Sequence, residues 1–111
     1  MKLSEIKGER TIDVIAAIIE PVAEIASDPV AAEMFSRKAL PEGEDPKKYA
    51  VKRIRKSVPA LLKNHKKELI AILAALEGVS EEEYAAKLNM VTLVHDLFEL
   101  LNDKDFIALF T

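Results

Sequence analysis

The sequence has no cysteine and no tryptophan. Without thiols, a disulfide scaffold, thiolate catalysis, a zinc–thiolate site and an iron–sulfur cluster are all excluded. The longest uninterrupted apolar run, Leu69 to Leu76, is eight residues and too short to cross a bilayer. The N-terminus Met1-Lys2-Leu3-Ser4-Glu5 places charge where a signal peptide needs an apolar core, so a cytosolic protein is expected. Glycine is scarce too. Gly8, Gly43 and Gly78 are the only three, each where a helix should begin or end, and no Asn-Gly or Asp-Gly hairpin turn occurs. Strands have no signal here.

What remains is one small domain, residues 1–111, half apolar and 32% charged, which is a globular and not a disordered composition. Helical periodicity dominates it. The first helix is expected from about Glu9 to Ala26. Its polar stripe (Asp13, Glu20, Glu24) is narrow, so it must be nearly surrounded by neighbours or keep a surface for a partner. Pro21 removes the donor for the Ala17 carbonyl and predicts a kink or break there. Asp28-Pro29 starts a second helix to about Lys38, and Ala39 to Asp45 reads as a loop. Asp45-Pro46 opens a third helix to about Asn64, which Pro59 is expected to split at Ser57. A fourth runs from about His65 to Glu77 and ends at Gly78. Ser80 with Glu83 forms a capping box for a short helix to about Leu88. Asn89 caps Met90 to Leu101, and Asn102 or Asp103 caps a last turn, Lys104 to Phe110. The expected fold is all-α, a compact bundle of six or seven short helices.

Charge is unevenly distributed. Between Lys47 and Lys67 there are nine Lys or Arg and no acid; the remaining chain carries seven basic and nineteen acidic residues, so +9 faces −12. On the third helix Ala50, Val51, Ile54, Val58, Leu61 and Leu62 share one face, and Lys48, Lys52, Arg55, Lys56 and Lys63 gather beside and behind it. Three readings of this stripe stay open: a solvated face balanced by the acidic helices, a docking face for an acidic partner, or a nucleic-acid contact. A chain pI of 5.4, and within the segment a single aromatic (Tyr49) and no glutamine, weigh against the last. Length and helix count alone leave a helix-turn-helix open.

Catalysis has no visible agent. His65 and His95 stand thirty residues apart, with no His-Glu-x-x-His or Glu-x-x-His pattern, no Gly-x-Ser-x-Gly elbow and no phosphate-cradling glycine loop. His95 and Asp96 are adjacent on a helix and point about 100° apart, so no dyad is expected. His65 lies among Lys63, Lys66 and Lys67, which disfavour a metal ion. Glu81-Glu82-Glu83 complements a helix dipole. The expectation is a protein without enzymatic activity, cofactor or metal.

Apolar supply, by contrast, is generous. From Val94 through Leu97, Phe98, Leu100, Leu101, Phe106, Ile107, Leu109 and Phe110 the chain stays apolar almost to its terminus. Such an end is either docked on the body or open to a partner. Small helical proteins with spare apolar grooves bind amphipathic helices of other chains.

Several segments resemble the small tail assembly chaperones of long-tailed bacteriophages and prophages of Gram-positive hosts. They are Met1 to Thr11 (MKLSEIKGERT), Lys38 to Gly43 (KALPEG), Ser57 to Lys63 (SVPALLK) and Ile72 to Tyr84, which contains Leu76-Glu77-Gly78-Val79-Ser80. The resemblance implies a helical chaperone that coats the tape measure protein before the tail tube polymerises. It implies action in the bacterial host cytoplasm, with the chaperone absent from the mature virion and no membrane involved. Such families also make a longer, frameshifted form, and a chain ending at Thr111 is expected to be the short one. No residue motif for client contact transfers from the family. The expected contacts come instead from the apolar C-terminal stripe (Leu97, Phe98, Leu101, Phe106, Phe110) and the cationic helix (Lys48, Lys52, Arg55, Lys56). The alternatives are a nucleic-acid-binding regulator using residues 47–67 and a self-assembling phage structural subunit.

Overall fold

The computed structural model describes residues 3–35 and 46–110. Seven α-helices follow a short 3-10 turn at Leu3–Glu5, and no strand occurs among the described residues. They are α1 (Glu9–Ala26), α2 (Pro29–Ala32), α3 (Pro46–Asn64), α4 (Lys66–Glu77), α5 (Glu81–Lys87), α6 (Met90–Leu101) and α7 (Lys104–Ala108). The all-α bundle expected from the sequence is the architecture found. α2 is shorter than expected and continues as a 3-10 turn, Glu33–Phe35. The expected end of that helix (36–38), the loop 39–45 and the Lys38–Gly43 segment lie outside the described residues.

Local chemistry sets most boundaries. Asp28 Oδ1 accepts from the Val30 and Ala31 amides at the start of α2. Ser80 Oγ accepts from Glu83 N at 3.1 Å, and Asn89 Oδ1 from Thr92 N at 2.9 Å. Gly78, at φ +75°, closes α4: its N–H donates to the Ala75 carbonyl and that of Val79 to the Ala74 carbonyl. The Arg10 guanidinium donates to the Leu76 carbonyl at 2.9 Å, so a cation from the start of α1 sits at the C-terminus of α4. A Cβ at position 78 would come within 3.0 Å of Arg10 Nη2, a second reason for glycine there. The C-terminal part of α1 meets the start of α4, so the two helices run antiparallel.

Both internal prolines are accommodated. α1 passes through Pro21 without the break expected at Ala17, and α3 passes through Pro59 without a split at Ser57. Each helix is held by packing along its buried face. Val14, Ile18, Val22 and Ile25 are buried along α1, and Ser57 and Leu61 are fully buried on α3. The inward face of α3 is otherwise shallow, with Val58 and Leu62 half-buried; the side chains of Ala50, Val51 and Ile54 lie outside the described residues. Ile18, Ile25, Phe35, Leu61, Ile72, Leu76, Leu100 and Phe106 form the centre of one core.

The C-terminal turn is docked. Phe106 is fully buried and meets Phe35 edge-on with ring centroids 5.3 Å apart, and Phe110 stacks on Phe35 at 4.9 Å. Asp103 latches this corner. Its buried carboxylate accepts from the Asp105 and Phe106 amides of α7 and from the Leu3 amide, one hundred residues away. α7 ends at Ala108 and not at Phe110. Among the described residues no helix is long and apolar enough to cross a membrane.

Candidate docking surface

Two helices carry large apolar side chains on their outer faces. On α6, Met90 and Val91 are each 79% exposed, Phe98 55% and Val94 46%. At about 100° per residue these four fall within an arc of about 100°. The adjoining side of the same helix supplies Leu97 and Leu100 to the core. On α1, Ile12 and Ile19 are 71% and 56% exposed and, with Ile15 and Ala16, line a shallow apolar groove. The buried residues Val14, Ile18, Val22 and Ile25 occupy the opposite side of that helix. α1 is therefore not surrounded; it keeps an open apolar face. Such faces are where burial by a partner is still to be gained.

The residues expected as contacts from the sequence divide accordingly. Phe98 is exposed on the outer arc of α6. Leu97 and Phe106 are buried and present nothing at the surface of this fold, while Leu101 and Phe110 are half-buried beside them. Both buried side chains are taken up by the fold itself, Phe106 by the aromatic cluster with Phe35 and Leu97 by the core side of α6. Lys48, Lys52, Arg55 and Lys56 are all exposed along α3. Met90, Val91, Ile12 and Ile19 were not singled out by the sequence. Their signal was present in the all-round apolarity of α1 and in the position of Met90 and Val91 at the start of α6, before the stripe that drew attention.

Buried polar groups lie away from these faces. His65, 8% exposed, joins the α3–α4 corner to the α1–α2 corner, with Nε2 2.8 Å from Asp28 Oδ2. Its other ring nitrogen is 3.9 Å from Glu68 and has no hydrogen-bond partner among the described residues. The hydrogen bond from His65 holds the Asp28 carboxyl below the usual carboxylate value. Tyr84 is buried and donates to Asp96; desolvation first, and that hydrogen bond second, push its hydroxyl well above the ordinary tyrosine range.

His95 and Asp96 meet despite their adjacency, contrary to the expectation from helix geometry. Nδ1 of His95 is 3.4 Å from Asp96 Oδ1, and its Nε2 is 3.8 Å from Glu99 Oε1. The rotamers, and not the Cβ directions, bring them together. These three are the group of possible metal donors among the described residues, with ligand atoms within 4.8 Å of one another. The two carboxylates, Asp96 buried and Glu99 half-buried, address opposite nitrogens of one exposed ring.

Compared with family models, curated proteins and solved structures, the chain matches none.

Proposed function

We propose that this protein is a non-enzymatic holding chaperone for a helical client, of the phage tail assembly kind, whose client is the tape measure protein. The observation that carries the reading is the outer arc of α6, where Met90, Val91, Val94 and Phe98 stand exposed on a helix whose adjoining side is core. The groove of α1 supports it with a second apolar face of the same kind. An amphipathic client helix presents anchors at i, i+3, i+4 and i+7, a spacing that a helical face of this width can cover. Each buried aliphatic or aromatic anchor contributes about 1.5–3 kcal/mol. Three or four anchors, after association costs, amount to roughly micromolar affinity, suited to a holder that must later release. No nucleotide or covalent step is needed. The sequence resemblance in the Met1–Thr11, Ser57–Lys63 and Ile72–Tyr84 segments supplies the identity of the client.

Co-expression with a fragment of the tape measure protein tests this reading. The expected result is a soluble fragment that co-purifies with the chain. A fragment that stays insoluble and uncomplexed contradicts it.

A further inference from the structure

The cationic stripe of α3 plays no part in the apolar reading, and it is sharply defined. Counting about 100° per residue, Lys48, Lys52, Arg55, Lys56 and Lys63 fall within an arc of about 100°. All five are exposed. The fully buried Ser57 and Leu61 lie on the opposite side of the helix, so the stripe points away from the body of its own chain.

A surface of the opposite sign exists elsewhere on the molecule. Where α1, α4 and the start of α5 meet, Glu20, Glu24, Glu68 and Glu81 surround a cleft of about 490 Å³ floored by Pro21, Ala23 and Ala71. Lys67 is the one cation at its rim. Glu20 and Glu24 are one turn apart on α1, the same spacing as Lys48 and Lys52 or Lys52 and Lys56 on α3.

We propose that the α3 stripe of one copy seats over the acidic cleft of a second copy. The argument is charge complementarity. Residues 47–67 carry +9 with no acid and the rest of the chain −12; five of those cations form the stripe, and four carboxylates line the cleft beside Lys67. The stripe lies on the outer side of α3 and the cleft between α1, α4 and α5, so a second chain is the partner through which the two surfaces would meet. Every copy supplies both halves at equal concentration. Stripe and cleft are different patches, so the contact is heterologous and propagates into a row or closes into a ring, including a reciprocal pair. Complementary potentials of this kind set register and association rate, and they are screened by salt. The inference is independent of the client and stands or falls without it.

Sedimentation velocity of the full chain tests it at about 0.01 M and about 1 M salt, where the screening length falls from about 30 Å to about 3 Å. The expected result is association at low salt that dissociates at high salt. Two charge-reversed variants, K48E/R55E/K56E and E20K/E24K/E81K, alter exposed positions only, and circular dichroism verifies their helicity. Each alone is expected to weaken self-association at least about tenfold. An equimolar mixture of the two restores it, because each then meets a complementary surface. A wild-type chain monomeric at both salt concentrations overturns the proposal. So does association that survives high salt in both variants, which would assign the contact to the apolar faces. A mixture that fails to recover association overturns it as well, as does a chain that stays monomeric while its stripe retards duplex DNA.

Discussion

α7 and the outer arc of α6 are both strongly apolar, lie within twenty residues of one another, and have opposite fates. Phe106 on α7 is fully buried while Phe98 on α6, eight residues upstream, is more than half exposed. Hydrophobicity does not separate them. What separates them is a latch and a receptor: Asp103 ties the start of α7 to the Leu3 amide, and Phe35 offers a ring surface for Phe106 and Phe110. The outer arc of α6 has neither. An apolar segment becomes core where a polar group fixes its backbone against a preformed apolar partner; without that, it stays available to another chain.

The contrast can be broken most severely from the docked side. Phe106→Ala removes the centre of the aromatic cluster and is expected to cost about 3–5 kcal/mol in denaturant unfolding. A value under about 1 kcal/mol would mean that α7 is an appendage and not part of the core. Asp103→Ala comes next, at about 2–4 kcal/mol, because it orphans backbone amides of α7 and of Leu3 together. Hydrogen exchange at the Phe106 amide is expected to accelerate in that variant.

Asp28 is to α2 what Asp103 is to α7, a cap with a second, long-range partner, here His65. Its folded carboxyl lies below the ordinary value of 3.8. The stabilisation is therefore complete above that value and is lost as pH falls through the lowered folded value. Asp28→Asn is expected to flatten the acid limb of a stability–pH curve below about pH 4 while leaving the neutral region less changed. An acid limb identical to that of the wild type would remove Asp28 from the set of groups that couple folding to pH.

The smallest effect on stability is expected on the exposed side. Replacing Met90, Val91, Val94 and Phe98 with serine, singly, should move unfolding by no more than about 0.5 kcal/mol each. The fourfold variant should nevertheless lose the client in co-purification. A large drop in stability would place the arc in the core and end its role as a docking face.

Much of this fold was legible because its boundary signals are local. Gly8, Asp28-Pro29, Pro46, Gly78, Ser80, Asn89 and Asp103 each start or stop a helix within a few residues, and the limits of α1, α3 and α6 follow from them. The prolines at 21 and 59 do not end their helices, because the cost of a missing hydrogen bond is local while the packing that holds each helix comes from other elements. The site was less legible. Periodicity gives the phase of an apolar arc but not which part of it a neighbour covers. Leu97 and Phe98 are consecutive apolar residues, and only the tertiary packing makes one core and the other surface. The cationic stripe was readable because long Lys and Arg side chains keep their charged heads in water whatever packs on the inner face of the helix.

The central claim is that the outer arc of α6 is wet in the free chain and dry in the complex. The chain has no native tryptophan, so Phe98→Trp supplies a single reporter at the C-terminal end of the docking face. Its emission is expected to be that of a solvated indole in the free protein and to shift to shorter wavelength as a helical tape measure fragment is titrated in. A short-wavelength emission already present without client, or an unshifted one once the complex has formed, would contradict the account.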